Sequence, residues 1–185
     1  MLAMDLSSVD LTPYQKIPRE EEYVLMQIGQ SLPLIQQVEF LISKFLKLVL
    51  REGNPRTLDD FLAEDKRTLG AILRKLQELL EIETQFQDLL NVFLADRNLF
   101  VHRLLEQPWF DIGTESGRET VWKFLERLLK GIWDTMFVFS AAIFQHFEDQ
   151  GFIASQTEEL KRTGYYSIMQ SFYPQIAKLL KKKGR

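Results

Sequence analysis

The chain has 185 residues, long enough for one domain with a single sizeable core and too short for two comfortable ones. Apolar residues make up 45% and charged residues 26%, with no cysteine and 2 histidines; that is a globular balance, and it excludes disulfides, thiolate nucleophiles and Cys/His zinc sites. Set against 26 acidic side chains, 23 basic ones leave a net charge of −3, the wrong sign for a protein that coats nucleic acid through a broad cationic surface.

Helical periodicity dominates, and no alternating run is long enough to predict a sheet. The N-terminus lacks the basic and apolar regions of a secretion signal. Gly131–Phe147 is the most membrane-like run, but it is short of the about 20 apolar residues of a bilayer span and holds Asp134, Gln145 and His146. It therefore reads as a buried helix, and the expectation is a cytoplasmic protein with no membrane partner.

Residues 1–18, with Pro13 and Pro18, read as an irregular arm. The stretch from Arg19 to Arg51 is helical, with Pro33 expected to split or kink it, because proline lacks the backbone donor and crowds the preceding turn. Its second half carries Ile35, Val38, Phe40, Ile42, Phe45 and Val49 on a broad apolar face. Gly53-Asn54-Pro55 breaks the helix, and Thr57 with Asp60 predicts a short capped element through Leu62.

A second helix is predicted over Lys66–Leu80, with Leu69, Ile72, Leu73 and Leu76 at helical spacing. Thr84 and Gln87 form a capping-box pattern for a third helix from Gln85 to Leu105, apolar at Phe86, Leu90, Phe93, Val101 and Leu105 and ended by Pro108. Trp109-Phe110 then reads as an aromatic plug in a loop. Ser116 and Glu119 predict the cap of the longest helix, Arg118–Asp149. Trp122, Trp133 and Phe137 widen its apolar stripe, which implies burial on more than one side, by neighbouring helices or a second subunit. Gly151 stops it. Ser155 and Glu158 cap a last segment through Leu180, and Lys178 to Arg185 form a frayed basic end. The expected organisation is an arm over 1–18, a bundle over 19–150 and a C-terminal helical extension with a basic tail over 151–185. The fold class is all-α, a helical bundle of four to six helices.

One stretch concentrates chemistry. Asp96-Arg97-Asn98-Leu99-Phe100-Val101-His102-Arg103 places an arginine, an amide and an imidazole near the end of an apolar helix. Asn98 and His102 share a face, so the amide can orient the ring. Arg97 lies about 140° from His102 around the helix, so the two meet only if the arginine bends round or the helix end unwinds. Arginine's planar fork matches phosphate oxygens, and histidine exchanges protons near neutrality. Together they suffice for cleavage of RNA without cofactor or metal. Histidine deprotonates the ribose 2′-hydroxyl or protonates the leaving 5′-oxygen, while arginine stabilises charge on phosphorus. From the residues alone a plainer reading also stands, in which Arg97 pairs with Asp96 or another acid and His102 sits at a helix C-terminus.

The run Arg97-Asn98-Leu99-Phe100-Val101-His102 resembles the Arg-polar-x-x-x-His signature of the HEPN superfamily, with Arg97, Asn98 and His102 at the arginine, the following polar residue and the closing histidine. The resemblance implies a HEPN-like bundle over roughly residues 19–150. It further implies a homodimer whose two motifs face each other in one cleft, and a metal-independent endoribonuclease acting on RNA. Such enzymes serve toxin–antitoxin or anti-phage defence systems, with an antitoxin or other protein as partner. Some relatives are noncatalytic, so a helical protein- or nucleotide-binding module is the alternative. Outside the motif, Arg103 reads as a second phosphate contact or a solvated neighbour, and His146 as a helix-end histidine. Glu78, Glu81, Glu83 and Asp88 read as a solvated face with no metal role; Trp109, Trp122 and Trp133 read as core.

Overall fold

The computed structural model describes residues 19–49, 69–151 and 165–183. The arm over 1–18, the element expected at Thr57–Leu62 and the cap at Ser155 and Glu158 lie outside the described residues. Helix α1 (Arg19–Val49) opens on Glu20, Glu21 and Glu22 and carries Lys47 in its last turn, charges that complement the helix dipole. Its buried positions, Val24, Ser31, Ile35, Val38, Ile42 and Phe45, recur at threes and fours, a stripe facing one core. Of the two expected outcomes, a split is not the one observed: the helix runs on through Pro33. Pro33 and Gly29, four residues earlier, are both exposed, so the carbonyl deprived of its helical donor is on the solvent side and water can satisfy it. Phe40 is exposed rather than core, with the Lys44 ammonium 5.1 Å over its ring.

Helix α2 (Leu69–Leu79) buries Leu69, Ile72, Leu73 and Leu76. Strand β1 (Leu80–Ile82) follows and pairs antiparallel with β2 (Leu180–Lys182), Leu80 opposite Lys182 and Ile82 opposite Leu180. This two-stranded ladder corrects the expectation of no sheet and a frayed C-terminal end. Flanking bonds extend it: the Glu83 N–H donates to the Leu179 carbonyl (2.9 Å), the Lys183 N–H to Leu79 (3.2 Å), and Lys183 Nζ to the Gln77 carbonyl (2.6 Å).

Helix α3 (Thr84–Arg103) is capped by the Glu83 carboxylate, which accepts the Phe86 N–H at 3.1 Å, and not by Thr84. It buries Phe86, Leu90, Phe93, Asp96 and Phe100, then tightens into a 3₁₀ turn over Leu104–Glu106, ahead of Pro108. Val101 and Leu105, expected in its apolar stripe, are exposed, Leu105 by 79%. Helix α4 (Glu115–Asp149) starts earlier than Ser116 and Glu119 predict. Thr114 is its cap: the hydroxyl accepts the Gly117 N–H (3.2 Å) and donates to Asp111 (2.7 Å). The Thr114 hydroxyl and the Gly113 N–H hold the Asp111 carboxyl below its ordinary pKa.

The rest packs around α4. Glu20 pairs with Arg118, Tyr23 stacks on Trp122 and Phe45 meets Phe139 edge-on, so α1 and α4 run parallel. Phe100 with Phe124, Asp96 with Arg127 and Phe86 with Phe139 run the other way, so α3 is antiparallel to α4. Trp109 closes one end against Phe124 (5.3 Å). Helix α5 (Tyr165–Leu179) leans on α4 through Phe172 and Phe137 (5.7 Å) and buries Ile176. The architecture is an all-α helical bundle with a small two-stranded clasp. Trp133 and Phe137 are partly solvent-facing instead of core, and Trp122 is half-buried with its indole N–H donating to Glu126 (2.7 Å). Among the described residues no helix is long and apolar enough to cross a membrane.

Two substitutions test this packing. A Cβ on Gly117 would sit 2.0 Å from the Asp111 carbonyl oxygen and 2.8 Å from its Cβ. Gly117→Ala is therefore expected to cost about 1–3 kcal/mol as an overpacked site, read as a lower urea midpoint with unchanged slope. Thr135 is wholly buried and its hydroxyl has no hydrogen-bond partner among the described residues. Thr135→Val removes that desolvated group at constant shape and is expected to raise stability by about 1 kcal/mol. A lower midpoint for that variant would show that the hydroxyl is satisfied.

Candidate functional site

The α3 helix carries the motif between two neighbours. Asp96 falls on the core face, in line with Phe93 and Phe100, and its carboxylate accepts two hydrogen bonds from Arg127 of α4, at 2.7 and 2.8 Å. The pair is asymmetric: the Asp96 side chain is 10% exposed and that of Arg127 57%, so the arginine reaches in from solvent and lies 5.6 Å over the Phe124 ring. The hydrogen bonds that Arg127 donates to Asp96 raise the arginine's pKa above its ordinary value. Asp96 is thus taken, and the plainer reading holds in its other form: Arg97 pairs with another acid, Glu39, and His102 sits in the last turn of the helix.

Arg97 points to α1 instead. Its Nε donates to Glu39 Oε1 at 2.9 Å, with Nη2 2.7 Å from the same oxygen, and the side chain is only 15% exposed. Its remaining nitrogen, Nη1, donates to the Asn98 amide oxygen (3.1 Å) and lies 3.4 Å from His102 Nε2. The structure therefore brings Arg97, Asn98 and His102 together across the angle that separates them on an ideal helix. The long guanidinium bends round, and the helix ends just after the histidine: Arg103 leaves helical geometry at φ −141°, ψ 9°. Gln107 holds that end, its amide donating to the Arg103 carbonyl at 3.0 Å. One expectation is corrected. The Asn98 amide orients the guanidinium rather than the imidazole.

An arginine only donates. Its contact with Nε2 is a hydrogen bond only in the tautomer where that nitrogen offers a lone pair. At 3.4 Å the bond is long, so an incoming hydroxyl can compete for the lone pair. The group opens on a cleft of about 650 Å³, walled by Gly70 of α2 and by Arg97, Asn98, Leu99, His102 and Arg103 of α3. That volume lies within the about 300–1,000 Å³ of ordinary ligand sites. None of the described residues lining it is acidic.

Glu39 is the site residue that sequence reasoning missed. It interrupts the apolar run Val38-Glu39-Phe40-Leu41-Ile42, and a half-buried acid on such a face needs a cationic partner; that is the signal, although it does not name Arg97. His146 lies in the last turn of α4, away from the motif. It lines a separate pocket of about 250 Å³ with Asp149 and Ile176. Among the described residues no three His, Asp or Glu side chains cluster to hold a metal ion. No protein-family pattern, curated protein or solved structure matches this chain, and the functional reading therefore rests on the residues of the cleft and their geometry.

Proposed function

We propose that the chain is a HEPN-like, metal-independent endoribonuclease of a toxin–antitoxin or defence system, a homodimer in which Arg97, Asn98 and His102 of each copy line one shared cleft. The observation that supports this most is the approach of Arg97 Nη1 to His102 Nε2, at 3.4 Å, in an open cleft. Two such side chains, held at that distance by Glu39 and Asn98, are the proton-transfer group and the phosphate-stabilising cation of RNA cleavage. The 2′-hydroxyl gives its proton to His102 as its oxygen bonds to the adjacent phosphorus. The phosphorus–O5′ bond breaks, the 5′-oxygen takes a proton from the second copy's His102 in its protonated, imidazolium form, which returns to neutral imidazole, and the products are a 2′,3′-cyclic phosphate and a 5′-hydroxyl. The guanidiniums stabilise the charge that builds on phosphorus. Val101 and Leu105, exposed beside the motif, offer the second copy an apolar surface to cover.

One observation favours the alternative, a noncatalytic module that binds a protein or nucleotide in the same cleft. Glu39 occupies two of the three donor nitrogens of Arg97 and offsets its charge.

The deciding assay is cleavage of mixed structured RNAs in EDTA. Wild type is expected to cut, leaving cyclic-phosphate ends and sparing DNA. His102→Ala is expected to slow cutting by about 10²–10⁴-fold and Arg97→Ala to abolish it, both with helical content and dimer unchanged. Undiminished cutting by both variants removes the site from the reaction. No cutting by a folded wild-type dimer, or a strict monomer in light scattering, selects the binding module.

A further inference from the structure

Among the described residues three cationic or titratable side chains line the cleft: Arg97, His102 and Arg103. They are not equivalent. The Arg97 guanidinium is 15% exposed and every nitrogen is engaged, two by Glu39 and one by Asn98 and His102. An incoming phosphate would have to displace protein partners and would meet a cation already offset by a carboxylate. Arg103 is the reverse case. It is exposed, and its guanidinium makes no ion pair or hydrogen bond with any described residue. Its backbone is nonetheless fixed, because the helix ends there with the Arg103 carbonyl tied to Gln107. A free planar fork on a fixed anchor, next to an imidazole and with no described acid in the lining, suits the non-bridging oxygens of a phosphodiester. A second surface pocket differs: Tyr23 and Trp122 there are lined by Glu20, Glu115 and Glu119 against one cation, Arg118, itself paired with Glu20, a net acidic lining that disfavours a polyanion.

We propose that Arg103 is the residue that binds the RNA backbone in this cleft, gripping a phosphate beside the scissile bond, while Arg97 holds His102 and acts on phosphorus only as charge builds there. The proposal rests on the ribonuclease reading and divides its labour. Arg103 sets how tightly the strand is held, through a contact that releases counterions; Arg97 sets how well the imidazole is aimed.

The test separates this assignment from the reading beneath it by measuring binding without cleavage. The probe is a fluorescent single-stranded RNA oligonucleotide with 2′-O-methyl riboses throughout, which cannot undergo 2′-hydroxyl attack. Its affinity for the full chain is followed by anisotropy as salt is raised. Arg103→Ala is expected to weaken binding by about 10–100-fold, the loss of one charge-assisted contact, and to reduce the slope of log affinity against log salt by about 0.7, one single-strand phosphate. Arg103→Lys keeps the charge and is expected to retain that slope. Arg97→Ala is expected to lose cleavage of ordinary RNA. Equal affinity and slope for wild type and Arg103→Ala overturns the assignment and leaves the ribonuclease reading to the EDTA assay. Failure of wild type to bind the oligonucleotide overturns it as well. Salt-dependent binding through Arg103 with no cleavage of ordinary RNA keeps the phosphate contact and defeats the nuclease instead.

Discussion

Asp96 and Arg97 are consecutive, opposite in charge and bound in opposite directions, one to Arg127 of α4 and the other to Glu39 of α1. Everything in the cleft follows from that double attachment. Of the two acids Asp96 is the more covered, 10% exposed against 27% for Glu39, so the Asp96 end is the stricter constraint. The two pairs also specify register. A one-residue rotation of α3 would present either Ala95 or Arg97 to the Arg127 guanidinium, losing an acceptor in one case and crowding two cations in the other. The apolar neighbours Phe93 and Phe100 tolerate small slips far better than a bidentate carboxylate does.

Much of the fold was legible because it depends on spacing. Val24 through Phe45 on α1, Leu69 through Leu76 on α2 and Val121 through Ile143 on α4 bury at threes and fours, and that periodicity is local information. The caps were less legible. Thr84 and Ser116 both satisfy a capping-box pattern, yet Glu83 and Thr114 do the capping. Adjacent polar residues offer equivalent acceptors, and at α4 the Asp111 turn, which locks Thr114, decides between them. Trp133, Phe137 and Phe40 looked like core because a helical wheel shows which way a side chain leaves the axis, not whether a neighbour stands there. The β1–β2 ladder left no trace at all: three residues do not alternate long enough to register, and their partners come from the far end of the chain.

The candidate site divides the same way. Arg97, Asn98 and His102 were visible as a local triplet, and the angle between Arg97 and His102 posed the right question. The answer is the bent guanidinium: His102 is still helical, and the helix stops only at Arg103. Asn98 illustrates the limit of spacing arguments. At four residues from His102 it could reach the ring, but the stronger donor beside it claims its oxygen. Glu39 was hidden because a long-range ion pair is written in two places at once, and one sequence shows each half without its match.

The net charge of −3 stands against a nucleic-acid ligand only if charge acts at a distance. At physiological ionic strength exposed charges more than about 8 Å apart are largely screened from one another, so a strand entering the cleft responds chiefly to what lines it. There the described residues supply two guanidiniums and an imidazole without a carboxylate, while the Glu39 charge is directed at Arg97 from the α1 side. That placement gives Glu39 a double effect. It lowers the pull of Arg97 on a phosphate, and it fixes the guanidinium where its third nitrogen lies 3.4 Å from His102 Nε2. An arginine tethered in this way gives up binding strength for aim, and binding strength must then come from a cation whose side chain is not held, a condition Arg103 meets at the mouth of the same cleft.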